Sequence, residues 1–203
     1  VLPVAVLVSG SGSNLQTLLD ASGSDPDFGV RIAVVISDRP GILALDRAVQ
    51  AGVPAEIVRW DDFDDRPSFS KAVVDTAERY GAQALILAGF MRILSPVAID
   101  RYPDRILNVH PALLPAFPGP HAVPAALAHG VKVSGVTVHF VDDEVDHGPI
   151  IAQRAVPVHT DDTEETLHAR IQQEEHHLYP LVVKAFAAGQ VRLEGRRVLW
   201  EES

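Results

Sequence analysis

Short, unbroken apolar runs alternate with amphipathic stretches along the first half of this 203-residue chain. Residues 4–8 (Val-Ala-Val-Leu-Val) carry no polar interruption, the mark of a central strand covered on both faces. A Gly/Ser loop follows, and Leu15, Leu18 and Leu19 then recur at helical spacing over 14–20. The same alternation predicts strands at 31–37, 55–58, 84–88 and 106–109, and helices at 41–51 and 67–80. Gly52 and Gly81 stand just past those helices and Pro67 opens the second, as helix termini prefer. Strands alternating with helices in this way imply βαβ units and a doubly wound α/β domain, three layers deep, with a mostly parallel sheet. Residues 22–27 and 61–65 read as polar surface loops.

The second half changes character. A short helix over 122–129 ends at Gly130, and 134–141 alternates enough to be a strand that pairs with 150–156 as an antiparallel extension. Asp161 and Asp162, with Glu164 and Glu165 three positions on, resemble a capping box that starts a long helix, with a bend expected near Pro180. Leu167, Ile171, Leu178, Leu181, Val182 and Ala185 form its apolar stripe. Glu175 stands four after Ile171 and three before Leu178, so it falls on that stripe. An inward carboxylate is costly unless paired or serving a ligand, and a buried salt bridge or a ligand contact would each meet that condition. Residues 191–193 and 197–200 read as a terminal hairpin. With no repeat or linker in view, the chain reads as one domain over 1–203, with halves at 1–103 and 104–203.

Composition narrows the classes. Apolar content of 47% and charged content of 22% are ordinary for a soluble globular protein with a single core. There is no Cys, which excludes disulfides, thiolate catalysis and Cys-ligated zinc and fits an intracellular enzyme. The opening apolar run lacks the basic region of a signal peptide, and no apolar stretch approaches the roughly 20 residues of a membrane span, so a cytoplasmic location is expected. A net charge of −10 argues against nucleic acid as partner. The nine histidines show no His-Glu-x-x-His spacing, and adjacent His176 and His177 face different directions on a helix, so no metal is expected.

Chemistry concentrates at a few positions. Gly10-Ser11-Gly12 lies between a strand and a helix, where glycine lets backbone N–H groups approach a phosphate; a tight βα turn is the alternative. The third glycine of a dinucleotide fingerprint would fall at Leu15. Asn108 and His110, two apart on a strand, share a face about 6.6 Å apart, and Pro111 holds His110 extended. With a carboxylate from a distant segment they would supply amide donor, imidazole and base. Such a set suits acyl-type transfer, in which an oxyanion needs donors and an attacking amine must lose a proton. Taken singly, Asn108 reads as a turn residue and His110 as a core histidine. The acidic run 142–146 reads as a solvated turn, and Met91, Ile93 and Leu94 as ordinary core.

These segments carry a family resemblance. Asn108-Val109-His110-Pro111-Ala112-Leu113-Leu114-Pro115, with Asp146 in Asp143-Glu144-Val145-Asp146-His147-Gly148-Pro149, resembles the signature of the folate-dependent formyltransferases. Ser9-Gly10-Ser11-Gly12-Ser13-Asn14-Leu15 and Ala88-Gly89-Phe90-Met91-Arg92-Ile93-Leu94 are similar to segments of the members that act on glycinamide ribonucleotide in purine synthesis. The likeness spans about 4–181.

The resemblance implies a Rossmann-like formyltransferase fold. It implies a first half that binds the nucleotide phosphate and a second that carries catalysis and the folate. Asn108, His110 and Asp146 would be catalytic, with Asp146 orienting His110 and taking the amine's proton. Gly12, Ser13, Asn14, Gln172 and Glu175 would meet the ribonucleotide. The formyl donor, 10-formyltetrahydrofolate, would lie between Met91, Arg92, Ile93 and Leu94 on one side and Asn108, Val141, Asp142, Asp143, Glu144, Val145 and Asp146 on the other. Arg66 matches a position near the folate, against a surface ion pair as its plainer reading. Many relatives carry Asn where this chain has Ser11, and several carry Gly where it has His147.

Small-molecule substrates, and a monomer or homodimer, complete the expectation. A methionyl-tRNA formyltransferase would need a further RNA-binding module and a basic surface. A formyltetrahydrofolate hydrolase would carry a regulatory domain ahead of the catalytic one. A non-catalytic nucleotide-binding module would leave Asn108, His110 and Asp146 without a shared purpose.

Overall fold

A computed structural model describes residues 1–200. In chain order the elements are β1 (Leu2–Val8), α1 (Ser13–Ser24), β2 (Val30–Ser37), α2 (Leu43–Gln50) and β3 (Ala55–Ile57). A 3-10 turn (Trp60–Asp62) leads to α3 (Arg66–Arg79), β4 (Ala84–Leu87), α4 (Pro96–Arg101) and β5 (Ile106–His110). Then come α5 (Ala122–His129), β6 (Val133–Phe140), β7 (Ile150–Pro157), α6 (Glu164–Ala187), β8 (Arg192–Glu194) and β9 (Arg197–Leu199). The main sheet has seven strands in the order β3-β2-β1-β4-β5-β6-β7, and β8 and β9 form the separate hairpin expected. The expected α/β architecture, a mostly parallel sheet with an antiparallel extension, is the one the chain adopts.

The chain packs as two compact units that divide after Leu107. In the first, β1 pairs in parallel with both β2 and β4, and β2 with β3. Val4 to Val8 are buried to the last side chain, which is why that run needs no polar face. Strand order reverses between β1 and β4, and ligands in such sheets bind outside the carboxyl ends at that point. In the second unit β6 and β7 are antiparallel, and α6 packs on both and on α5.

Several local expectations give way. Helix α1 runs through Ser24 rather than stopping at residue 20, its end closed by the Asp25 N–H on the Ala21 carbonyl. Helix α4, of 6 residues, was not anticipated; it is too short to display a period. Helix α3 starts at Arg66, one residue before the expected Pro67, and the Asp65 carboxylate caps it by accepting the Ser68 N–H at 2.7 Å. The capping box of α6 is formed by Thr163 and Thr166. Asp162, expected in that role, instead accepts two N–H groups of Arg170 at 2.8 Å each. Leu181 is exposed, while Tyr179 and Val183 are buried and widen the stripe on the other side.

Candidate active site

The end of β5 carries the first two side chains of the site in the second unit. Asn108 and His110 project from one strand face, as alternation requires. The loop after β6 brings a carboxylate to both: Asp146 Oδ1 lies 3.3 Å from Asn108 Nδ2, and Oδ2 lies 3.3 Å from His110 Nδ1. The Gly119 N–H donates to the same Oδ2 at 2.8 Å. Asp146 adopts φ +50, a left-handed conformation that Asp tolerates better than most residues and that a tight site can impose. The loop returns at Gly148, where a Cβ would stand 1.8 Å from the Phe140 carbonyl oxygen, so only glycine lets the chain pass.

A fourth member was not expected. His139, on β6 and 1% exposed, places Nε2 at 3.2 Å from Asn108 Nδ2 and 3.7 Å from Asp146 Oδ1. Its Nδ1 faces the Phe140 carbonyl oxygen at 2.7 Å, which fixes the ring so that Nε2 is turned toward Asn108 and Asp146. The β6–β7 register shifts between Val138 and His139, skipping one residue of β7, and such an irregularity re-aims a side chain. In sequence His139 is one polar residue in a buried strand; the shift is the signal, and pattern alone does not display it.

The hydrogen-bond pattern constrains protonation. His110 Nε2 faces the Phe117 carbonyl oxygen at 2.8 Å while Nδ1 faces Asp146, so both nitrogens meet acceptors and the ring's orientation is fixed. Burial works to raise the Asp146 carboxyl; the His139 and His110 rings and the Gly119 N–H outweigh it and hold the carboxyl below its ordinary value of 3.8. Asn108 directs its two amide hydrogens at His139 and Asp146. The set thus joins a base ionised at neutral pH to two polar donors in a largely buried setting, which suits stabilising an oxyanion and receiving a proton.

The 110–119 segment is fixed from β6. The buried Thr137 hydroxyl donates to the Ala112 carbonyl at 2.7 Å and accepts from the Leu114 N–H at 3.0 Å and from Gln153 Nε2 at 2.9 Å. Asp142 and His147 pair across the loop at 2.9 Å, and Arg196 of the β8–β9 hairpin donates to the His147 carbonyl. Val141 and Asp142 are half-buried, and Asp143, Glu144 and Val145 are exposed. On α6 Glu175 is 6% exposed, confirming its place on the apolar stripe, and Gln172 is half-buried.

The first unit holds the remaining candidates. Gly12 caps α1 at φ +73, and a Cβ there would stand 2.7 Å from the Ala44 Cβ and 2.9 Å from its Cα. The glycine therefore serves a close helix approach as well as the turn. Arg47 secures the loop, donating to the Ser11 carbonyl at 2.9 Å and to Gln16 Oε1 at 2.8 Å. Ser13 opens α1 and Asn14 is buried behind it. After β4, Met91 is 63% and Ile93 47% exposed, against their plainer reading as core, and only Leu94 is buried. Arg92 is held by Asp38, while Arg66 stands exposed on α3. Among the described residues no group of three or more His, Cys, Asp or Glu could hold a metal, and no helix is long and apolar enough to cross a membrane.

Comparisons with known proteins agree with these motifs. The formyl transferase family matches residues 2–183. Phosphoribosylglycinamide formyltransferase of Escherichia coli (strain K12) is 41% identical over 190 residues, 94% of this chain and 89% of that protein. The trifunctional purine biosynthetic protein adenosine-3 of Bos taurus is 42% identical over 198 residues, 97% of this chain and 20% of that much longer protein. The crystal structure of glycinamide ribonucleotide transformylase 1 from Symbiobacterium toebii superposes with a TM-score of 0.94 at 47% identity, covering 99% of this chain and 94% of that one. The resemblance carried by Asn108-Val109-His110-Pro111 and its companion segments is borne out, and the chain belongs to the formyl transferase family.

Proposed function

We propose that this chain transfers the formyl group of 10-formyltetrahydrofolate to the amine of glycinamide ribonucleotide, a step of de novo purine biosynthesis. The observation that carries this reading is the convergence of Asn108, His110 and Asp146, with a carboxylate kept ionised among buried donors. The naming of its relatives of similar length supports the acceptor.

The neutral amine attacks the formyl carbon, forming the new C–N bond, and the carbonyl oxygen becomes an oxyanion. His110 donates to that oxygen through Nε2, exchanging the Phe117 carbonyl for it while Nδ1 keeps Asp146. Asn108 joins it by giving up its contact with Asp146, which at 3.3 Å is the longer of its two. Asp146 receives the proton the amine loses, directly or through water. Collapse breaks the bond between the formyl carbon and N10 of the folate; the proton taken from the amine is passed on from Asp146 to N10, directly or through water, and tetrahydrofolate leaves. The Gly12 loop, with Ser13 and Asn14 at the head of α1, suits the ribonucleotide phosphate, because backbone N–H groups at a helix start bind anions even in a chain of net charge −10. Gln172 and Glu175 suit its ribose hydroxyls or amine. Residues 91–94 and 141–146 take the folate, with Asn108 beside it and Arg66 nearby. The chain acts on small molecules in the cytoplasm, without metal or nucleic acid, as a monomer or homodimer.

Release of tetrahydrofolate, followed by absorbance with and without glycinamide ribonucleotide, tests the reading. Release that requires the ribonucleotide is expected. Release without it would make the chain a formyltetrahydrofolate hydrolase, and no release in either case would leave a nucleotide-binding module.

A further inference from the structure

The first unit buries one carboxylate that the proposed transfer chemistry does not use. Asp38 follows β2, and its side chain is 0% exposed. Oδ2 accepts Arg92 Nε at 2.7 Å and Arg39 Nη2 at 3.0 Å, and Oδ1 accepts Arg39 Nε at 3.2 Å. The Ser9 hydroxyl also donates to this carboxylate. Ser9 follows β1, and its Oγ accepts the Met91 N–H at 2.9 Å, while its own N–H donates to the Gly89 carbonyl at 3.1 Å. Asp38's carbonyl accepts the Trp60 N–H at 3.1 Å, and the Trp60 ring lies 4.9 Å beneath the Arg92 guanidinium. Trp60 in turn packs edge-on against Phe69, which stacks on Phe90.

Three strand ends therefore meet on one carboxylate, and their contacts converge on Met91 and Arg92. This happens where the strand order reverses between β1 and β4, and beside exposed Met91 and Ile93, whose apolar surface points out of the fold. A buried carboxylate without partners is costly, so the cluster holds one geometry or pays for its loss. We propose that Asp38 is a positioning residue for the formyl donor: through Ser9 and Arg92 it sets the backbone of residues 91–94 against which the folate rests. This rests on the reading that residues 91–94 bind the folate.

The test uses the full chain and four variants, Asp38→Ala, Asp38→Asn, Ser9→Ala and Ile93→Asp. Steady-state kinetics gives kcat and the KM for each substrate, and quenching of tryptophan fluorescence gives the affinity for tetrahydrofolate. Asp38→Ala should weaken tetrahydrofolate and raise the KM for the formyl donor about tenfold or more, the loss of a charge-assisted hydrogen bond. The KM for the ribonucleotide and kcat should stay within about threefold. Asp38→Asn keeps the shape and one acceptor oxygen but not the charge, so it should recover part of the affinity lost in Asp38→Ala. Ser9→Ala should act in the same direction and carries the test if Asp38→Ala does not fold.

A merely structural Asp38 would lower the thermal midpoint while both KM values stay native or rise together, and that result overturns the proposal. Ile93→Asp separates the two layers of the argument, since it places a charge on the exposed surface and removes no partner of Asp38. If Ile93→Asp weakens tetrahydrofolate while Asp38→Ala and Ser9→Ala do not, the positioning role falls and the folate surface stands. If Ile93→Asp also binds normally, the folate surface falls and the role of Asp38 falls with it.

Discussion

His110 and Asp146 are joined at 3.3 Å through Nδ1 and Oδ2, and the far side of the same imidazole is tied to the Phe117 carbonyl oxygen at 2.8 Å. The ring is held at both nitrogens and cannot turn without losing a partner. A carboxylate in that position fixes which way the imidazole faces.

Asp146→Asn should fold and bind both substrates yet lose turnover by about 10²–10⁴-fold, the usual range for deleting a proton acceptor. His110→Ala should fall in the same range because it removes an oxyanion donor. The double variant should lose far less than the product of the two, because the residues act as one unit. Single-turnover rates with bound substrates measure this. A fully active Asp146→Ala enzyme would sink the mechanism.

The depressed Asp146 carboxyl contributes one part of the chain's acid behaviour. Near the ordinary value of 3.8 the folded chain binds fewer protons at this group than the unfolded chain does. Its contribution to stability is complete above about pH 5 and is lost as pH falls through the lower, folded value. Thermal midpoints of the wild type and Asp146→Asn should keep a constant gap above about pH 5, and the gap should narrow in stronger acid. Catalytic activity should fall at much higher pH than this, because the attacking amine must be neutral. A pH–rate profile whose acid limb lies in the carboxylate range would contradict that assignment.

Glycines 10 and 12 should respond differently to the same added methyl. Gly12→Ala forces a side chain to φ +73 and within 3 Å of Ala44, and should cost about 1–3 kcal/mol in urea unfolding. Gly10, with nothing within 4 Å of its would-be Cβ, should tolerate Ala with a change below about 1 kcal/mol. Equal losses at the two positions would remove the packing argument for Gly12.

Thr137→Val keeps the shape of a fully buried side chain but deprives the Leu114 N–H of its acceptor and the Ala112 carbonyl of its donor. The expected loss is about 2–3 kcal/mol of stability, the desolvation cost of stranded buried groups. Thr137→Ser, which keeps the hydroxyl, should restore much of it. Denaturant midpoints of the three proteins decide the matter.

Sequence pattern carried the main architecture because buried parallel strands are continuous apolar runs and their helices show a clean period. It carried Asn108 and His110 because both lie on one short strand, and Glu175 because a carboxylate on an apolar stripe is conspicuous. It missed His139, whose approach to Asn108 depends on a register shift that no local pattern displays. It could not show the Asp38–Arg92 pair, whose members are 54 positions apart and become neighbours only when the strands pair. Met91 and Ile93 depart from their pattern: their apolar character suggests interior, whereas both are exposed.

Met91 is also the only sulfur-bearing residue in the 203, since the chain has one Met and no Cys. Mild oxidation therefore has a single sulfur to attack, and it stands 63% exposed on the surface proposed for the folate. Conversion to the sulfoxide would make that apolar surface polar without altering Asn108, His110 or Asp146. An isotopically labelled methionine methyl would give one resonance, and its shift would report events on that surface without assignment of any other signal.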